Sequence, residues 1–169
     1  MGKYLKKALN SVFWVLDKVD KKHYLKLYPK YLHWLGINID PNDTEGTWIS
    51  PTVFLDSSRY EFVEIGKKVT ISFDVTILVH DYSIVHAART IGRKTSSIIY
   101  KNVKIGNNVF VDAKTTILPG SVIGDNCIVG GGSVVKGVLE PNSIYAGNPC
   151  RKIASVEDFA NRHSDFLIP

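Results

Sequence analysis

The chain has 169 residues, 44% of them hydrophobic, and a formal net charge of +5, which suits one globular domain with a terminal extension. No apolar run reaches the roughly 18 residues a membrane span requires, no secretory leader is evident, and Cys127 and Cys150 lack metal-ligand spacing, so a reduced, cytoplasmic setting is expected. Residues 1–34 hold eight Lys against Asp17 and Asp20, the remainder is close to neutral, and the basic stretch matches no nucleic-acid reader fold, which argues against a nucleic-acid partner.

The first 36 residues read as a helical extension. Leu5, Leu9, Val12, Leu16 and Val19 recur at helical spacing, with Ala8, Phe13 and Val15 beside them, predicting a basic amphipathic helix. An aromatic-rich stretch from Tyr24 to Leu35 follows, interrupted by Pro29. One reading has these helices cover the open end of the domain behind them, as a repeat array requires. The alternative is peripheral contact with an anionic membrane surface, the inner membrane, through lysines and aromatics.

From residue 37 to 153 the pattern changes. Ile99, Ile105, Val111, Ile117, Ile123, Val129 and Val135 stand six apart, and Ile65, Ile71 and Ile77 keep the same spacing earlier, with Ile49 and Leu55 as an irregular first coil. Six fits neither an amphipathic helix nor a simple strand. It fits one flat face of a parallel β-helix, with branched side chains pointing inward and coils stacked about 4.8 Å apart. The fourth residue after each rung is small or branched, as in Val103, Val109, Thr115, Ser121, Cys127 and Ser133, followed by Leu139; Cys127 is thereby read as an inert buried thiol. Gly106, Asn107, Asn108, Gly124, Asp125 and Asn126 suit corners, where glycine and asparagine adopt backbone conformations other residues resist.

Between Ile77 and Ile99 lie 22 residues where one step needs six, so an insert of 16 residues is expected at about 83–98. Long loops that leave a rigid repeat are commonly functional. Resuming the count after that insert places Ile77, Val111 and Val129 on one face, and their third positions are Val79, Ala113 and Gly131. Small residues there would leave backbone open to a narrow ligand. Beyond residue 153, Ser155-Val-Glu-Asp158 reads as a capping box that opens a short C-terminal helix in a tail of residues 154–169.

Of five histidines, His80 and His86 flank the entry to the insert. A neutral imidazole is a natural general base at physiological pH. The hexads, the His80-Asp81-Tyr82-Ser83 run before the insert and the ending Asn142-Ser-Ile-Tyr-Ala-Gly-Asn-Pro-Cys-Arg151 resemble the hexapeptide-repeat acyltransferases, above all the galactoside and maltose O-acetyltransferases and the sugar acetyltransferases of surface-polysaccharide pathways. The resemblance implies an all-β solenoid, a left-handed parallel β-helix with N-terminal helices and a short C-terminal helix, assembled as a homotrimer with acetyl-CoA as co-substrate in the groove between subunits and no metal. It assigns the base to His80, with His86 the alternate, and CoA contacts to Ala113 and Gly131; Arg151 and Lys152, which follow the last coil, are candidates to hold CoA phosphates by charge, and Lys136 is a further candidate CoA contact. The family's lysine after the last repeat is displaced by one position here, since the chain reads Lys136-Gly137.

Asp74 stands where the family often carries an acceptor-binding Asn, and Asp81 and Tyr82 adjoin the base. Asp81 is expected to orient the insert, and Asp112 is a candidate to support the imidazole. The activity implied is acetyl transfer from acetyl-CoA to a sugar hydroxyl. The alternatives are N-acetylation of an amino sugar nucleotide and a non-catalytic β-helix scaffold.

Overall fold

The computed structural model describes residues 3–43, 46–56 and 59–168, with the side chains of residues 3–7 left out. Three parallel sheets make up the body. The first holds Trp48–Ile49, Thr70–Ile71, Phe110–Val111, Ile128–Val129 and Ser143–Gly147 in that order, with Cys150–Ser155 added antiparallel at its end; the second holds Phe54–Leu55, Thr76–Ile77, Thr116–Ile117 and Val134–Val135; the third holds Val63–Ile65, Val103–Ile105, Val122–Ile123 and Val138–Leu139. The chain visits the three in rotation, and Ile105 pairs with Ile123, Val111 with Val129 and Ile117 with Val135, each 18 residues on.

Burial explains why these residues fix the fold. Ile71, Ile77, Val111, Ile117, Val129 and Val135 are wholly buried, and so are Val69, Val75, Thr115, Ser121, Cys127 and Ser133 at the intervening positions. Small polar groups there are satisfied locally: Ser121 Oγ donates to the Leu118 and Val135 carbonyls at 2.7 and 3.1 Å, and the Cys127 thiol faces the Glu140 carbonyl at 3.1 Å. Burial pushes the Cys127 thiol's pKa up, consistent with an inert thiol. The last circuit is two residues short, so Leu139, expected as a small-site residue, pairs with Ile123 as a rung.

The corners divide the work between two residue types. Asn108 and Asn126 take the left-handed conformation, as do Lys68, Asp74, Lys114 and Asn142 at equivalent places. Asn108 and Asn126 also form a side-chain ladder with Asn142, at 2.9 and 2.7 Å. Gly106 and Gly124, expected to serve the same conformational role, have negative φ. Glycine is required there for space: a Cβ on Gly106 would lie 2.3 Å from Asp125 Oδ1, and one on Gly66 would lie 2.5 Å from the Gly106 carbonyl oxygen.

Two helices cover the first circuit. α1 (Lys3–Val19) and α2 (Lys21–Trp34) form a hairpin joined at Asp20, whose side chain accepts the His23 backbone N–H and caps α2. Phe13 packs among Tyr24, Tyr28 and Tyr31. The Tyr24 hydroxyl donates to the Ile49 carbonyl. Asp17 is buried, accepting from Lys21 Nζ at 2.6 Å and from Trp48 Nε1 at 2.9 Å, and Lys21 Nζ lies 4.2 Å from the Trp48 ring centroid. The hairpin thus seals the first coil, as the capping interpretation expects. The expected apolar stripe divides: Leu9 and Leu16 pack inward, Val12 and Val19 face out, and Leu5 lies outside the described side chains. At the other end α4 (Val156–Arg162) is capped by Ser155 Oγ, which accepts the Asp158 N–H at 2.9 Å.

The insert differs from expectation in two ways. It carries a helix, α3 (Ser83–Thr90), and it is longer. Ile99 is not a rung: Ile99–Tyr100 pairs antiparallel with His80–Asp81, and the rotation resumes at Val103–Ile105. The hairpin arm happens to occupy six residues, which preserved the count while shifting the faces. Val111 and Val129 therefore stack on Ile71, not on Ile77, whose partners are Leu55 and Ile117.

Candidate active site

His80 leaves the second sheet directly after the buried Val79 and opens the short hairpin opposite Tyr100. Its Nδ1 is hydrogen-bonded to Oδ2 of Asp56. Asp56 follows the rung Leu55 one circuit below and is 4% exposed. The same oxygen accepts the Val79 backbone N–H at 3.1 Å, and the Asp56 N–H donates to the Ile77 carbonyl at 3.0 Å. A carboxylate seated this firmly fixes the orientation of the imidazole and carries a negative charge against its inner edge. The His80 side chain keeps 29% exposure, so a substrate can reach it. Tyr82 stands edge-on to the ring at 5.4 Å and Tyr100 lies at 6.2 Å between centroids. The Arg59 guanidinium sits 5.5 Å from the Tyr100 ring centre.

The pair can take a proton from a hydroxyl or amine. Nδ1 is committed to the carboxylate, so Nε2, on the far side of the ring, is the basic atom, and the buried charge of Asp56 stabilises the imidazolium that forms. Asp56 was not legible as the partner: it lies 24 residues away from His80, and only the stacking of one circuit on the next joins them. The signal available was an acidic residue directly after a rung of the second sheet, where Ile77 and Ile117 in the stacked strands are followed by Leu78 and Leu118.

The other candidates fall elsewhere. His86 is exposed on α3, with its carbonyl accepting from Thr90 Oγ1. Asp81 accepts the Ser83 backbone N–H at 2.7 Å, an interaction that holds its carboxyl below the usual range and ties it to the start of α3. Asp112 Oδ1 accepts the adjacent Ala113 N–H at 2.7 Å, and the carboxylate on the imidazole is that of Asp56. Asp74 occupies an exposed corner in the left-handed conformation, its N–H donating to Thr52 Oγ1 at 2.9 Å.

Ala113 and Gly131 do stack, with the Gly132 N–H donating to the Ala113 carbonyl at 2.8 Å, but Phe73 lies beneath them in place of Val79. They follow the first sheet, whereas His80 follows the second. Gly131 also has a packing reason to be glycine, since a Cβ would meet the Ala113 carbonyl and Asp112 Oδ2 at 3.2 Å. Arg151 and Lys152 extend the same sheet on the terminal strand, opposite Ala146 and Tyr145. Lys136 is exposed after the rung Val135, its backbone against the Cys150 thiol. Among the described residues no group of three or more His, Cys, Asp or Glu could hold a metal ion.

Residues 102–137 match the bacterial transferase hexapeptide (six repeats). The chain is 31% identical over 131 residues to galactoside O-acetyltransferase of Escherichia coli, covering 68% of this chain and 63% of that one, and 35% identical over 102 residues to a putative acetyltransferase of Bacillus subtilis, covering 60% and 53%. The chain therefore spans less than two thirds of these relatives. Among solved structures, a galactoside acetyltransferase in complex with coenzyme A aligns over 81% of this chain and 83% of its own at 25% identity, with a TM-score of 0.54. A hexapeptide-repeat acetyltransferase of Vibrio cholerae, at 16% identity, TM-score 0.51 and coverage of 79% and 92%, shares the fold.

Proposed function

We propose that this chain, a member of the hexapeptide-repeat acyltransferase family, transfers an acetyl group from acetyl-CoA to a sugar hydroxyl in surface-polysaccharide synthesis. The observation that carries this reading is the Asp56–His80 pair, a buried carboxylate holding an accessible imidazole beside the insert.

In the reaction so read, His80 Nε2 removes the acceptor hydroxyl proton as that oxygen attacks the thioester carbonyl. The carbon–oxygen bond forms, the carbon–sulfur bond breaks, and the proton passes from the imidazolium to the departing thiolate. Such a base contributes about 10²–10⁴ in rate, and a backbone N–H near the thioester supplies oxyanion stabilisation. Tyr82 and Tyr100 offer flanking surfaces for a sugar ring.

The division of candidates between two sheets has a consequence for assembly. His80 follows the second sheet and the Ala113–Gly131 stack follows the first. A left-handed β-helix packed as a homotrimer brings one copy's His80 edge against the neighbour's Ala113, Gly131, Arg151 and Lys152, with acetyl-CoA in the groove between them. A similar protein is solved in complex with coenzyme A, which supports acetyl-CoA as the donor. Asp74, at an exposed corner, favours a second reading in which its carboxylate attracts an amino sugar and the product is an amide.

An acceptor panel with acetyl-CoA and a thiol-release assay separates the readings. Acetylation of sugar hydroxyls is the expected result. Exclusive turnover of amino sugars selects the second reading. No turnover together with no heat of acetyl-CoA binding identifies a non-catalytic scaffold.

A further inference from the structure

We infer that the outer surface of the N-terminal helical hairpin is a docking site for an anionic lipid surface. Each helix turns one face toward the domain and leaves the other without a partner. On α1 the inner face is set by Asn10, Phe13 and Asp17, which meet Tyr31, the tyrosines of α2 and Trp48. At 3.6 residues per turn Val12, Val15 and Val19 fall on the opposite side, and they are 57%, 49% and 73% exposed. They line an open, almost wholly apolar groove with Ser11 and Leu16.

On α2 the inner face is Tyr24, Tyr28, Tyr31 and Leu32. The side away from it carries Lys22, Lys26 and Lys30 at successive intervals of four, all exposed, lining a second groove with Leu25 and Asn42. Each helix touches the first coil, α1 through Asp17 and Trp48 and α2 through Tyr24 and Ile49, and each leaves its outward face uncovered.

Charge decides the occupant. Like charges four apart weaken a helix by about 0.2–0.5 kcal/mol per pair, and among the described residues none of the three lysines is in an ion pair. The acidic groups of the hairpin are spent elsewhere: Asp17 is buried against Lys21 and Trp48, and Asp20 caps α2 and meets His23. A lysine stripe on α2 and an exposed apolar strip on α1, with Trp14 and Trp34 also half or more exposed, give the hairpin the composition of an element that lies in a lipid interface. The uncompensated positive charge matches anionic headgroups.

The docking surface is independent of acetyl transfer, and its test reads binding. The full chain is sedimented with phosphatidylcholine vesicles, with and without phosphatidylglycerol. Binding only to the anionic vesicles, released by high salt, is expected. Replacing Lys22, Lys26 and Lys30 together by Gln, an equally good helix former, lowers partitioning by about two orders of magnitude, roughly fivefold per lysine. Replacing Val12 and Val19 by Ser lowers it while its salt dependence remains. Thiol release with a soluble acceptor stays unchanged in both variants. Equal binding to neutral and anionic vesicles, or no binding, overturns the proposal. So does a valine variant that alters the oligomeric state by light scattering and leaves vesicle binding intact, which would make the strip an interface between copies.

Discussion

Replacing Asp56 by Asn tests whether the buried carboxylate acts through its charge. Asn is nearly isosteric, and its side-chain oxygen can keep both contacts of Oδ2, from the Val79 N–H and from His80 Nδ1. Only the negative charge is lost. A hydrogen bond to a charged group contributes about 1.5–3 kcal/mol against about 0.5–1.5 for a neutral pair. The difference of about 1–1.5 kcal/mol corresponds to about tenfold in rate. It acts where the imidazolium forms, so kcat falls by about that factor and KM holds. Steady-state kinetics on the folded variant, with stability checked by thermal melting, measures this. Full kcat, or a loss explained by unfolding alone, would refute the role given to Asp56.

Gly66→Ala forces a Cβ to within 2.5 Å of the Gly106 carbonyl oxygen, and thermal or urea unfolding should show a loss of about 1–3 kcal/mol, the usual cost of overpacking. Asp17 is desolvated by burial, which raises its pKa, yet the hydrogen bonds from Lys21 and Trp48 prevail and hold it below its ordinary value. The stability it contributes is therefore present above about pH 3.9 and lost as pH falls through the lower folded value; acid titration of Asp17→Asn should show a flatter decline than the wild type over that window.

The repeat was legible because a narrow core accepts only branched or small side chains at fixed intervals, and Ile65, Ile71, Ile77 and the series from Ile105 to Val135 all fill those places. Ile99 misled because a two-stranded hairpin of the right length mimics a rung; periodicity reports spacing but not pairing. The glycines were placed correctly for the wrong reason, since Gly106 and Gly124 answer the close approach of the next circuit and the left-handed corners go to Asn108 and Asn126. On α1 a buried Asp17 holds an inner position that hydrophobic patterning assigns to an apolar residue, so the buried face lies round from the expected stripe. His80 was legible from its place before the insert. Asp56 was not, because the contact exists only once circuits stack.

The most direct measurement is turnover by His80→Ala, alongside acetyl-CoA binding and oligomeric state. His80 is accessible and lies outside the stacked rungs, so the variant should fold, assemble and bind acetyl-CoA as the wild type does. Its kcat should fall by about 10²–10⁴. Wild-type turnover in a folded His80→Ala chain would contradict the account.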